Sequence, residues 1–186
     1  MIDFETLNPL LSAAFSRQIT WLEASSHYPL EEIIETFYAT RPRMVSAIEN
    51  LTDAQVTFAS PVHPFWSISE SITHLIYSQN AYMNQLLDIA TSQLPHAVEA
   101  ARGLGQGAKP GIPVAQLRIR LAAASEQIHA AIEGTRHSHD PNKAEVNEFF
   151  GVCTYKTWML LLLSHELDHL RQVIAMRRVV RSEHVV

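Results

Sequence analysis

The segment from Ser164 to His169 carries two histidines, four residues apart, within a run of helix-forming residues. Residues at positions i and i+4 of a helix lie on one face, with their Cβ atoms about 5 to 6 Å apart. His165 and His169 can therefore bind one divalent cation together. The sequence predicts a metal site that takes at least one further ligand from another part of the chain.

Two alternatives compete with this interpretation. The five residues also spell His-Glu-x-x-His, the zinc-peptidase pattern in which the glutamate activates water. Glu166 is expected about a quarter turn away from the histidine face, and only Glu183 and His184 follow as downstream ligands. Peptidase activity is therefore the lesser alternative. The other is that His165 and His169 are core residues satisfied by hydrogen bonds, without a metal.

A better third ligand lies upstream, between Trp66 and His74. Ser67 is a good N-cap for a helix, and Glu70 three residues later completes a capping-box pattern. His74 follows two turns into this helix. The two histidine motifs resemble the DinB/YfiT-like family of four-helix metalloproteins, in which a histidine of the second bundle helix joins a His-x-x-x-His pair on the fourth. The resemblance covers roughly residues 30–181.

The resemblance implies that His74, His165 and His169 bind one divalent metal ion, with zinc or nickel favoured and iron or manganese as alternatives. It further implies a metal-dependent hydrolase or a thiol-dependent transferase acting on a small molecule, with a low-molecular-weight thiol as a candidate partner, and a homodimer. Three imidazoles leave coordination positions open, as in catalytic metal sites.

The resemblance does not select a substrate or a reaction. Glu70, one turn before His74 on the same face, is expected either to orient a ligand or accept a proton, or merely to cap the helix. A non-catalytic helical module, which binds metal incidentally or mediates an interaction, remains the alternative class of function.

Apolar residues at helical spacing predict the elements that position these ligands. The predicted fold is all-α, a four-helix bundle with an additional N-terminal helix. We expect one domain over residues 1–186, in which residues 1–26 hold the extra helix and residues 30–181 hold the bundle. Helices are predicted over residues 4–24, 30–51, 68–90, 113–133 and 154–181, with Gly134 ending the fourth and no strand anywhere.

One feature of the predicted helix over residues 68–90 concerns His74 directly. Its strongest apolar stripe includes Ile68, Ile72 and Leu75 and lies on the side away from His74. We expect the N-terminal helix to cover this stripe, so that His74 faces a polar cavity. A loop-rich crossover over residues 102–113 follows this helix.

The amino-acid composition limits the classes of partner that this chain can bind. The chain has 186 residues, of which 47% are hydrophobic and 18% charged, the balance of a folded globular protein. Its net charge of -5 provides no field that would attract nucleic acid or an anionic membrane. Cys153 is the only cysteine, and it is expected to be buried and inert. With no apolar run long enough for a membrane span and no signal-peptide pattern, we expect a cytoplasmic protein.

Overall fold

The computed structural model describes residues 2–60, 66–90 and 109–183. In chain order, the elements are α1 (Phe4–Phe15), α2 (Trp21–Ser26), α3 (Leu30–Ile48), α4 (Asp53–Thr57), α5 (Ile68–Ala90), α6 (Val114–Thr135), β1 (Ala144–Asn147), β2 (Gly151–Thr154) and α7 (Tyr155–Ser182). The long helices α3, α5, α6 and α7 form a bundle, in which α7 packs against both α3 and α5. The predicted all-α fold is confirmed. Across the described ranges, no helix combines the length and apolar character that a membrane span requires.

The N-terminal segment contains two helices where one was predicted over residues 4–24. α1 ends at Phe15, and Arg17 takes the left-handed conformation, with φ of 59°. Thr20 then starts α2 through a capping box: its hydroxyl accepts the Glu23 N–H, and the Glu23 carboxylate accepts the Thr20 N–H. The cap restarts the helix after the turn, whereas the apolar spacing continues through both helices and cannot reveal the break.

A two-stranded antiparallel hairpin, formed by β1 and β2, precedes the last helix, where no strand was predicted. The Asn147 side chain accepts hydrogen bonds from the N–H groups of Phe149 and Phe150 in its turn. Gly151 follows with φ of 73°, a conformation that favours glycine. Each strand has only four residues, which is at the lower limit at which alternating polarity can be recognised.

The apolar side of α5 faces the bundle core, and the predicted cover by the N-terminal helix is wrong. Ile68, Ile72 and Leu75 are fully buried, and α5 packs against α4, α6 and α7, whereas α1 packs against α2 and α7. α6 continues through Gly134 to Thr135; glycine inside a helix costs only about 1 kcal/mol and does not end this one. Of the predicted crossover, only residues 109–113 lie within the described residues.

The bundle core consists of two apolar clusters, and each long helix contributes to both. On α3 the first cluster ends at Phe37 and the second begins at Met44, and on α7 the boundary falls between Leu167 and Leu170. Buried polar side chains occupy the level between the clusters, and three of them, here called the polar layer, are Arg41, Gln79 and Glu166. The histidines of α7 lie at the same level of the bundle.

The single cysteine provides a test of how closely this core is packed. Cys153 is buried, and burial raises the pKa of its thiol to about 12, with the charge of Glu145 adding to the effect. Because the thiolate is the reactive form, we expect DTNB to label the native protein about 100-fold or more slowly than the denatured protein. Labelling of native protein at the denatured rate would contradict the burial of this side chain.

Candidate metal centre

A capping box at the start of α5 determines where the first predicted ligand lies. The Ser67 hydroxyl accepts the Glu70 N–H at 3.2 Å, and Glu70 Oε2 accepts the Ser67 N–H at 2.9 Å and the Ser67 hydroxyl at 2.7 Å. His74 follows one turn later on the same helix. The Glu70 carboxylate is thus engaged with Ser67, and its predicted role in orienting a metal ligand or accepting a proton stays a prediction.

The structure brings the three predicted histidines together although 91 residues separate His74 from His165. The Nε2 atoms of His74 and His165 are 3.3 Å apart, and those of His165 and His169 are 3.2 Å apart. The donor atoms of all three rings lie within 4.8 Å of one another. The close packing of α5 against α7 creates this cluster, which we call the histidine cluster.

Hydrogen bonds within the histidine cluster cannot satisfy these atoms. His165 Nε2 has another Nε2 atom close to it on both sides, but a neutral imidazole nitrogen carries either one proton or one lone pair. His165 Nε2 can therefore form a hydrogen bond with only one of the two neighbouring Nε2 atoms. The buried Nδ1 atoms of His165 and His169 have no hydrogen-bond partner among the described residues. A cation that accepts all three Nε2 lone pairs would remove the conflict at His165 Nε2.

The spacing of the donor atoms also fits a metal ion. Zinc binds histidine nitrogen at about 2.0 to 2.1 Å, and a tetrahedral angle at that distance separates two nitrogens by about 3.3 Å. The Nε2 separations of 3.3 Å between His74 and His165 and of 3.2 Å between His165 and His169 match this value. The chemistry and the geometry of the donors are thus those of a candidate metal site.

Burial keeps these imidazoles neutral. It lowers the pKa of His165 to about 3 and that of His169 to about 4, and the neighbouring histidines add to both shifts. The pKa of the less buried His74 is lowered in the same way. Since a metal ligand must be deprotonated, all three lone pairs are available to a cation at neutral pH without competition from protons.

Aromatic rings enclose the histidine cluster. Trp66 packs edge-on against His74 with ring centroids 4.7 Å apart and stacks on His169 at 6.3 Å. Tyr82 lies on another side, 5.6 Å from the ring of His165. The Ser78 hydroxyl is 3.2 Å from His74 Nε2. The contact of Trp66 with these rings was not predicted, since it depends on how α5 begins beside α7.

Glu166, the glutamate of the peptidase pattern, belongs to the polar layer. Its side chain is fully buried, with Oε2 3.0 Å from Arg41 Nη2. Arg41 also donates to Gln79 Oε1, and Gln79 Nε2 donates to the backbone oxygen of Ala124. Burial raises the pKa of Glu166, and the positive charge of Arg41 opposes that shift. A carboxylate held in this network lacks the access to water that a peptidase requires.

The polar layer connects all four long helices, because its side chains come from α3, α5 and α7 and Gln79 donates to the backbone of α6. This layer was not predicted, although the sequence of α3 contains a signal for it. Arg41 lies four residues after Phe37 and three before Met44, at a position where the apolar stripe of α3 predicts a core residue. A polar residue at such a position indicates a buried partner on another helix.

The remaining histidines do not join the cluster where the structure describes them. His137 Nε2 accepts a hydrogen bond from Arg136 at 2.9 Å, and the ring of His139 stacks on Tyr155 at 4.2 Å. His129 lies 4.5 Å from the ring of Tyr38. His184, considered above as a downstream ligand of the peptidase pattern, lies outside the described residues.

The fold and the histidine cluster together define a helical-bundle protein with a candidate three-histidine metal site. The family model of the DinB superfamily matches residues 36–173, most of the chain, and the chain belongs to this superfamily. All three histidines lie within the matched range, whereas α1 and α2 precede it. No curated protein and no solved structure matches the chain. The predicted family is thereby confirmed, and the cluster is compatible with a metal-binding protein.

Proposed function

We propose that this protein is a metal-dependent enzyme that acts on a small molecule by hydrolysis or by thiol-dependent transfer. The convergence of three neutral imidazole nitrogens from α5 and α7 carries the proposal. Membership of the DinB superfamily supports it. A bound divalent ion supplies Lewis acidity, which activates water or stabilises a thiolate.

The residues at the histidine cluster have different roles in this proposal. His74, His165 and His169 bind the ion through Nε2 and leave coordination positions open for a substrate, as catalytic sites do. Trp66 and Tyr82 limit the access of bulk water to the rings they contact. Glu70 contributes through its cap with Ser67, which sets the position of His74, and proton transfer by its carboxylate remains part of the proposal.

Titration of tag-free, metal-free protein with Co²⁺ tests the proposal. We expect saturation at one ion per chain, with the visible absorption of a low-coordinate nitrogen site. Addition of 2-mercaptoethanol should then produce a sulfur-to-cobalt charge-transfer band, because open positions accept an exogenous thiolate. Absence of saturable uptake would contradict the metal site. Uptake of Co²⁺ without a spectral response to added thiol would contradict the thiol-dependent reaction. Uptake of Co²⁺ without turnover of esters, amides or thiol substrates would favour the non-catalytic module.

Binding of a metal ion should also quench tryptophan fluorescence, and most of the quenched emission should come from one residue, Trp66. Trp66 contacts two of the proposed ligands and is 41% exposed, whereas Trp21 and Trp158 are 4% and 2% exposed. We expect Co²⁺ to quench the emission of the wild-type protein and to have less than half this effect on the variant Trp66→Phe. Trp21→Phe is the matched control and should retain the quenching. Equal quenching in both variants would place the metal elsewhere.

A further inference from the structure

A cavity of about 320 Å³ adjoins the histidine cluster on the side of His165. Besides His165, its wall includes apolar residues from α1, α5 and α7, namely Phe4, Leu11, Phe15, Tyr82 and Leu161. The Arg171 guanidinium stacks on the ring of Phe4 at 3.9 Å, and this contact holds the ring at the wall. The cavity therefore connects a proposed metal ligand with a largely apolar surface.

The size of the cavity limits what it can hold. An apolar cavity of about 150 Å³ binds benzene, and this one has about twice that volume. It lies at the lower end of the range of small-molecule sites, about 300 to 1,000 Å³. A fused bicyclic ring or a branched alkyl group fills such a space, whereas a nucleotide or a peptide does not fit.

The polarity of the lining favours an uncharged group. Among the described residues that line the cavity, Asp168, which is exposed, is the only one with a formally charged side chain. Ser164 is already satisfied, since its hydroxyl donates to the backbone oxygen of Leu161 at 2.8 Å. When no metal ion is bound, transfer of an anion from water into a cavity with this lining is unfavourable, and Asp168 adds repulsion. A neutral aromatic or aliphatic group is the matching ligand.

We propose that this cavity binds the uncharged apolar part of the substrate and that α1 acts as the specificity-determining wall. The inference rests on the proposed function, because it places the reacting group of the substrate at the histidine cluster. α1 contributes Phe4, Leu11 and Phe15 and precedes the residues 36–173 that match the superfamily. The part of the chain that shapes the cavity is thus separate in sequence from the part that carries the metal ligands.

Calorimetric titration with naphthalene-2-methanol, a neutral bicyclic probe, tests this inference on the metal-loaded protein. We expect one saturable site in the wild-type protein and a Kd at least tenfold higher in the variant Ser12→Phe, because Ser12 lines the cavity from α1 and the phenyl ring would fill it. Asn8→Phe, one turn earlier on the same wall, should have a similar effect. Ser16→Phe makes the same chemical change at the exposed residue that follows α1, which does not line the cavity, and should leave the Kd within twofold of the wild-type value.

A comparison of ligand charge completes the test. This comparison uses metal-free protein, because a carboxylate also binds to an open position of a bound metal ion. Naphthalene-2-carboxylate has the same ring system and should bind to the metal-free protein at least tenfold more weakly than the alcohol. The inference would be overturned if the alcohol failed to bind or if its affinity were unchanged in both Ser12→Phe and Asn8→Phe. Equal affinity of the metal-free protein for the alcohol and the carboxylate would also overturn it. The metal content of every sample is measured in parallel. Metal uptake without probe binding contradicts the cavity alone, whereas probe binding without metal uptake supports the cavity and contradicts the proposed function.

Discussion

Replacement of His74 by alanine is expected to abolish stoichiometric metal binding. Loss of hydrogen-bonded neighbours of metal ligands typically costs 10- to 100-fold in affinity, so loss of a ligand should raise the Kd by more than about 100-fold. The remaining pair, His165 and His169, provides two nitrogens from one helix. We expect dialysed His74→Ala protein to retain well below one ion per chain, measured by atomic emission on protein purified without an affinity tag.

His137→Ala is the matched control for this experiment. His137 is exposed and lies outside the histidine cluster, and with His139 it forms the other closely spaced histidine pair of the described chain. The control should bind as much metal as the wild-type protein. Full occupancy in His74→Ala would show that the ion, if present, is bound without α5, and the three-histidine site would be wrong. Circular dichroism verifies that both variants remain helical.

Replacement of Glu166 by leucine is expected to lower the free energy of unfolding by about 3 to 5 kcal/mol, the usual cost of removing one partner of a buried ion pair. Arg41 is 6% exposed, and its guanidinium keeps its proton at any accessible pH. The variant therefore leaves an uncompensated charge between the two apolar clusters. Urea unfolding followed by circular dichroism measures the loss.

Two further variants separate the charge effect from simple repacking. Arg41→Met should be less destabilising than Glu166→Leu, because the Glu166 carboxyl, whose pKa burial already raises, can take up a proton and become neutral. The double variant, Arg41→Met with Glu166→Leu, should recover most of the loss, since apolar residues of similar volume often replace a buried pair at little cost. Single variants within about 1 kcal/mol of wild type would contradict a paired polar layer.

The double variant also tests what the polar layer does for the histidine cluster. Its groups link α3, α5, α6 and α7, so it is placed to fix the level of α5 relative to α7. If the recovered double variant binds metal weakly, the layer positions His74 relative to His165. Undiminished metal binding would assign the layer to stability alone.

Much of the fold follows from local patterns in the sequence. The helices of the bundle were predicted within a few residues because each long helix repeats its apolar residues at a period of 3.6, and α5 was predicted with its observed bounds over residues 68–90. The short hairpin and the break between α1 and α2 were not predicted. Both depend on single capping or turn contacts, such as those of Asn147 and Thr20, and the spacing of apolar residues does not reveal such contacts.

The local geometry of the candidate site could likewise be predicted from the sequence. His165 and His169 share a face because they are four residues apart on one helix, and the Ser67–Glu70 cap determines where His74 lies on α5. Other properties came only from packing between distant segments: the 3.3 Å approach of His74 to His165, the pairing of Glu166 with Arg41, and the cavity wall formed by α1. Helical periodicity specifies which residues share a face of one helix, but the contacts between helices depend on how all of their side chains pack together.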